Sequence, residues 1–295
     1  MRKIAGSTYV IETGITVPVY FLSDKEVVLL DSSHIKYQEQ ILQEIEGAGL
    51  KVKAIINSHV HYDHVGNNDY FREHHGAMVI TGQLEATIAR SIPLVKTYYW
   101  TGTVNQIAEN YKVYPMTIDA TFAEEESVVE VCGAEFKIIP LPGHTPGQCG
   151  IVTPDDVFYV ADALMDEDMM MKSKLPTTMD WEVDFRTKEK IRDSKHAAYV
   201  LAHSGVFETI EEIVDKNVED RMKRLARLKE LLAAKDCWTR EELTQVLWDR
   251  LGLRTDRQVS QVIFTRNIEC IMTYLVNTGE LTEGYEKGIF KYRRG

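Results

Sequence analysis

The sequence predicts an α/β layer domain followed by a small, mainly helical domain, and three observations predict it. The first 60 residues set short β-rich runs and one amphipathic helix in strand–helix–strand order. Histidine and aspartate recur at the ends of apolar strands, where α/β proteins gather their sites. Beyond residue 208 the β texture gives way to long helical patterns.

Thr8–Glu12, Val17–Leu22 and Val27–Leu30 read as strands, punctuated by Thr13-Gly14 and Ser23-Asp24. Tyr37–Ala48 carries Ile41, Leu42 and Ile45 at helical spacing and closes on Gly47 and Gly49. Val52–Asn57 is a further apolar strand. Between Gln83 and Phe122 the rhythm fails: Pro93, Tyr98-Tyr99-Trp100, Gly102 and Pro115 interrupt weakly helical stretches, an insertion suited to a lid or pocket wall. Strands return at Ser127–Ile139 and Cys149–Val160, followed by a helix at Lys188–Ala197 and a strand at Tyr199–Ala202. A helical pattern then runs from Glu208 to Ala234, Thr239 caps Arg240-Glu241-Glu242-Leu243, and Gln258–Asn277 is amphipathic. Glu280–Thr282 and Ile289–Tyr292 flank a glycine-containing turn. Three helices and a hairpin make a winged-helix arrangement, so the domains are expected at 1–210 and 211–295.

Apolar residues make up 44% and charged residues 27% of the 295, the balance of a soluble globular protein. No apolar run reaches the roughly 18–20 residues a bilayer span needs, and Met1–Gly6 lacks the apolar core of a secretory signal. A cytoplasmic protein without a membrane partner is expected. Cys132, Cys149, Cys237 and Cys270 form no CxxC pair, which excludes a zinc knuckle and argues against a disulfide framework. The net charge of −11 is uneven: residues 211–295 hold 16 Lys+Arg against 15 Asp+Glu, leaving the first 210 at −12. Neither part is a basic nucleic-acid platform.

The strongest signal is Asn57-Ser58-His59-Val60-His61-Tyr62-Asp63-His64, behind an apolar strand and before a helix near Gly66-Asn67-Asn68. Three imidazoles and a carboxylate packed this densely are costly to bury without a common charged partner. Imidazole with carboxylate suits zinc, iron or manganese. On an extended strand end His59 and His61 point the same way and can grip one ion; Asp63 and His64, past the bend, can address a second. Six residues cannot close two coordination shells. Three further strand ends carry candidates: His144 in Pro142-Gly143-His144-Thr145-Pro146-Gly147, Asp162 after Val157–Val160, and His203 after Tyr199–Ala202.

With His59-x-His61-x-Asp63-His64, then His144, Asp162 and His203 in that order, residues 1–210 resemble the metallo-β-lactamase superfamily. Asp31, ending Val28-Leu29-Leu30-Asp31, matches that family's early aspartate. The resemblance implies an αββα sandwich with the site at one edge. It assigns His59, His61 and His144 to a first metal and Asp63, His64 and His203 to a second, with Asp162 bridging. Two divalent ions per chain are implied, zinc first, iron or manganese as alternatives, sharing a water that serves as the attacking hydroxide. Asp63 and Asp162 are the carboxylates expected to act in catalysis, and Asp31 is expected to orient a ligand loop. Two positions depart from the family, Ala161 before Asp162 and Ser204 after His203, where glycine is usual; they bear on loop geometry and remove no ligand.

The expected activity is hydrolysis of a small ester-like substrate: lactone, thioester or related acyl compound. RNA phosphodiester cleavage is one alternative, and persulfide dioxygenase-like chemistry at a single iron is another. His61 stands where the diiron electron-transfer branch has glutamate. The tail looks like the winged-helix extension of the β-lactamase-like protein 2 branch. Its +1 charge argues against strong phosphate binding, so a packing or homodimer role, separable from the chemistry, is expected. Met165 and Met169-Met170-Met171 are candidate pocket-wall residues, and Tyr98, Tyr99 and Trp100 a candidate roof. His34, His74, His75 and His196 are expected in surface or packing roles.

Overall fold

The computed structural model describes residues 1–99, 102–125 and 127–295; Trp100 and the side chains of Tyr99, Gln258 and Val259 lie outside the described residues. Two sheets each follow chain order. The first comprises β1 (Arg2–Ala5), β2 (Thr8–Glu12), β3 (Thr16–Phe21), β4 (Glu26–Leu30), β5 (Lys51–Ile56), β6 (Met78–Gly82) and β7 (Ala120–Phe122). It is antiparallel as far as β4 and parallel from β4 to β7. The second comprises β8 (Ser127–Val131), β9 (Ala134–Pro140), β10 (Cys149–Val152), β11 (Val157–Ala161), β12 (Ala198–Leu201) and β13 (Gly205–Phe207), with β11 and β12 parallel.

The helices of this part are α1 (Gln38–Ile45), α2 (Asn68–His75), α3 (Gln83–Ala89), α4 (Ile92–Tyr99), α5 (Val104–Asn110), α6 (Glu167–Lys172) and α7 (Trp181–Arg192). Val27–Leu30 and Ala54–Ile56 are buried without alternation, because parallel strands are covered on both faces. The inner faces meet through Val17, Val19, Leu29 and Ile55 from one sheet and Phe136, Ile138, Ile151 and Tyr159 from the other. On the outside, Ile41 and Ile45 of α1 and Phe71 of α2 join the first sheet's core, while Ile191 of α7 packs on Phe158, Val160 and Tyr199 of the second. This is the αββα sandwich the resemblance implied.

Several boundaries differ from the expectation for local reasons. Ser127–Ile139 is a hairpin, not one strand: Cys132 (φ 51°) and Gly133 (φ 82°) are both left-handed, as a two-residue hairpin turn requires. Cys149–Val160 likewise breaks at Thr153–Asp156. The helix expected from Lys188 starts at Trp181, because Asp180 accepts the Val183 N–H at 3.0 Å and caps it. The irregular insertion holds three short helices, α3 to α5; Val95, Tyr98 and Ile107 from α4 and α5, with Tyr114 and Met116 from the loop after them, pack against Val60 and Val65 of the histidine-rich loop. β1, β6, β7 and β13 were not expected.

The C-terminal extension contains α8 (Glu211–Leu232), β14 (Cys237–Thr239), α9 (Arg240–Arg250), α10 (Gln258–Asn277), β15 (Leu281–Glu286) and β16 (Ile289–Arg294), with β16 central in a three-stranded sheet. Thr239 and Glu242 form a reciprocal capping box on α9. Its core of Leu225, Leu228, Trp238, Leu247, Ile268 and Leu275 also takes in Leu175 and Trp181 from the sandwich. Buried Arg221 of α8 pairs with Asp184 at 3.3 Å, and Asp184 in turn holds fully buried Lys188 at 2.5 Å. Among the described residues no helix is long and apolar enough to cross a membrane.

Candidate metal centre

All seven residues singled out by spacing come together at one edge of the sandwich, where β5, β9, β11 and β12 end. His61 Nδ1 lies 3.0 Å from His59 Nε2 and 2.9 Å from His144 Nε2, so three ring nitrogens converge on one point. Each outward nitrogen is met by oxygen. The Thr177 carbonyl accepts from His144 Nδ1 at 3.0 Å, which leaves Nε2 bare. Ser58 Oγ donates to Asp31 at 2.7 Å, so its oxygen accepts from His59 Nδ1 at 3.0 Å. The Tyr98 hydroxyl stands 3.0 Å from His61 Nε2. Such outer contacts fix tautomer and ring orientation in metal sites.

Asp63, His64 and His203 form a second group. Asp162 lies between the two: Oδ2 is 3.3 Å from His144 Nε2, while Oδ1 is 3.4 Å from His64 Nε2 and 3.5 Å from His203 Nε2. His64 Nε2 and Asp162 Oδ1 are buried and make no hydrogen bond. Buried polar atoms without partners are costly, and a cation held between two such lone-pair donors satisfies both. The donor set therefore fits divalent ions.

Asp31 also lies close to His59 and His64. Its oxygens, however, already accept from Asn57 Nδ2, Ser58 N–H, Ser58 Oγ, His64 Nδ1 and Tyr159 OH. It is fully buried and orients His64 and the loop after β5. Asp31 (φ 64°) and Ala161 (φ 49°) both occupy the left-handed region. Ala161 is the position where the family usually has glycine, so alanine accepts a strain of roughly 1–2 kcal/mol to aim Asp162. Ser204, the other departure, accepts the Asp166 N–H at 2.9 Å and ties down the chain leading into α6.

A cavity of about 340 Å³ opens on the site. Met165, Met169, Leu175, Met179, Ile263 and Phe264 supply its apolar wall, and Arg266 and Asn267 also line it. Met170 is packed inside instead, and Met171 faces solvent. Ile263, Phe264, Arg266 and Asn267 belong to α10, so the extension supplies one wall of the pocket, where a role apart from the chemistry was expected. Tyr98 lines the cavity too. The four remaining histidines have local partners: His34 with Lys36 N–H, His74 stacked on Tyr70, His75 with Val52 N–H, and His196 with Asp156.

Residues 5–203 match a family described as the metallo-beta-lactamase superfamily. The chain belongs to this superfamily. Among curated proteins, hydroxyacylglutathione hydrolase GloC of Haemophilus influenzae is 26% identical over 128 residues, 43% of this chain and 56% of that protein. A probable metallo-hydrolase of Streptococcus pyogenes is 23% identical over 162 residues, 54% of this chain and 66% of that one. The chain thus matches between about half and two thirds of the length of these curated relatives. Among solved structures, a metallo-beta-lactamase family protein from Thermus thermophilus superposes with a TM-score of 0.74 at 19% identity, covering 98% of this chain and 99% of the other. A beta-lactamase domain protein from Burkholderia ambifaria gives 0.68 at 13% identity over 99% and 97%. The likeness in fold therefore runs through the C-terminal extension as well as the metallo-beta-lactamase sandwich.

Sequence reasoning missed three residues around this superfamily site. Glu85 lies in a short helix of the insertion, as does Tyr98, and Arg266 and Asn267 lie on α10. Arg266 stacks over the Tyr98 ring at 5.7 Å and donates to the Tyr98 carbonyl, while Asn267 Oδ1 accepts the Thr178 N–H at 3.2 Å. No sequence spacing connects them to the ligands.

Proposed function

We propose that the protein hydrolyses a small acyl substrate, a thioester or lactone, with two zinc ions held by His59, His61 and His144 on one side and Asp63, His64 and His203 on the other, Asp162 serving both. The observation that carries this reading is the pair of converging donor groups, joined by one carboxylate, at the mouth of a mainly apolar cavity. A histidine and carboxylate set without thiolate suits zinc. Bound zinc supplies Lewis acidity, polarising an acyl oxygen and acidifying water.

The chain's own residues do the rest. Met165, Met169, Leu175 and Phe264 receive the acyl group and exclude water. Tyr62 lines both this cavity and a second one of about 830 Å³, whose lining holds Lys36, Lys112 and Arg257 against Asp69 and Glu109 and so suits an anionic leaving group. The Haemophilus relative is named for an acyl-glutathione substrate, which supports a thioester. We read the extension as winged-helix-like but built for packing. Its cations are largely paired on the surface, Lys216 with Glu212, Lys223 with Glu219, Lys229 with Glu280 and Lys235 with Glu242, leaving little field for RNA phosphates. A panel of thioesters, lactones and a labelled single-stranded RNA, run on the zinc-loaded protein, tests the assignment. Acyl turnover is expected; RNA cleavage with every acyl substrate untouched would reverse it.

The two zinc positions should also differ in their response to acid. Burial first, then neighbouring imidazoles, hold His59 and His61 well below the ordinary histidine range, and burial lowers His144. Burial also opposes charge on His64, but Asp162 and Asp31 outweigh it and hold it well above that range; Asp162 raises His203. A raised pKa means that protons compete for the ring from a higher pH downward, whereas a lowered one leaves the ring bare until more acidic pH. On acidification the ion at Asp63, His64 and His203 is therefore expected to leave first. Metal content measured stepwise from pH 8 to 5 should fall in two stages; simultaneous loss of both ions would contradict the assignment.

A further inference from the structure

Glu85, in the first turn of α3, is fully buried. Its carboxylate accepts three hydrogen bonds: Val60 N–H at 3.0 Å on Oε2, and Thr145 Oγ1–H at 2.7 Å and Gly147 N–H at 3.1 Å on Oε1. Burial raises its pKa, the three donors oppose that rise, and nearby Glu124 adds to it. The donors lie on two separate segments. Val60 sits between His59 and His61 in the loop leaving β5 of the first sheet. Thr145 follows His144 in the loop joining β9 to β10 of the second.

The motif around His144 is shaped to this carboxylate. A Cβ on Gly147 would stand 2.9 Å from Glu85 Cγ and Oε1, closer than carbon atoms pack, so glycine is required by the approach of Glu85. Thr145 supplies the hydroxyl that a smaller or apolar residue would lack.

We propose that Glu85 is a positioning residue: one ionised carboxylate that ties together the two loops bearing the three converging imidazoles and so sets the spacing of His59, His61 and His144. The inference rests on reading those histidines as metal ligands. All three partners are donors, so only a group that accepts on both oxygens serves. Glutamine has the same shape but must turn its NH₂ towards either Val60 N–H or the Thr145 and Gly147 donors, setting donor against donor. It breaks the tie on one side while leaving the volume unchanged.

The test uses the full-length protein with zinc as the probe, titrated against a competing chelator, with cobalt substitution to report coordination geometry. Glu85→Gln is expected to weaken the ion at His59, His61 and His144 by about 10–100-fold, the usual effect of losing an outer contact to a metal site. The same variant should perturb the cobalt spectrum and leave the ion at Asp63, His64 and His203 in place. Thr145→Val, which removes one donor at nearly constant volume, should shift affinity in the same direction by less. A residue that only packs would lower thermal stability and loosen both ions alike, and that outcome overturns the proposal, as does wild-type affinity in Glu85→Gln. Should Glu85→Gln fail to fold, unchanged zinc affinity in Thr145→Val overturns it instead. Failure of the ligand reading is distinguishable, because it shows in the wild type as no zinc uptake blocked by His144→Ala.

Discussion

Asp162→Ala is expected to lose bound metal and turnover together. Asp162 turns one oxygen towards each histidine group, 3.3 Å from His144 on one side and 3.4 Å from His64 on the other. Burial raises its pKa, yet His203 and His64 outweigh burial and hold it well below the usual carboxylate range, which favours the ionised form. Alanine removes that charge from among five imidazoles, His59, His61, His64, His144 and His203. Two cations would then face each other across a gap with no shared counter-charge, and their mutual repulsion favours release of at least one. Asp162→Asn keeps the shape and should fail in the same way, which separates charge from packing. Elemental analysis and turnover on one preparation decide the matter; a fully loaded, active Asp162→Ala would refute the bridging role.

Ending the chain at residue 210 is expected to destroy activity although all seven ligands remain. Asn267 of α10 holds Thr178 N–H, and the neighbouring Thr177 carbonyl fixes His144 Nδ1. Arg221 of α8 donates to Thr178 Oγ1 at 2.9 Å and pairs with buried Asp184. Arg266 supports Tyr98, whose hydroxyl meets His61. Truncation removes all of these and uncovers Leu175 and Trp181, and it leaves a buried charged group short of a partner, a loss that is strongly destabilising. Because the shortened chain is expected to aggregate, the full-length Asn267→Ala variant carries the finer point. It should fold and bind zinc about 10-fold more weakly, as loss of an outer contact to a ligand does. Normal turnover by the 1–210 chain would show that the extension is separable after all.

The convergence of the seven candidate ligands was legible because their cost is written locally: histidines and aspartates at the ends of Val- and Ile-rich strands need a reason to be there, and a shared ion would supply it. Asp31 was singled out only through its match to the family's early aspartate. Alternation and turn residues placed most strands of the sandwich to within a residue or two. They could not separate the β8–β9 hairpin, since Cys132 is not a usual left-handed residue. The three helices of the insertion escaped because Pro93 and Gly102 interrupt them and their apolar residues serve a cluster far away in sequence. Glu85, Tyr98, Arg266 and Asn267 act only through tertiary neighbours. A buried glutamate in a short helix looks, in sequence, like any solvated one.

Each sheet is built from one continuous stretch of chain, residues 2–122 for the first and 127–207 for the second. Four of the seven ligands come from the first stretch and three from the second. A folding chain can therefore complete either half by local pairing and still own only part of a binding site. The ligand set closes when the halves dock, which is the step of longest sequence separation and the one that loop closure makes slow. Ions that bind the docked state and not its precursors stabilise it by mass action. With ions bound as proposed, the metal supply would govern how much of the protein survives as an assembled whole, quite apart from how fast that protein works.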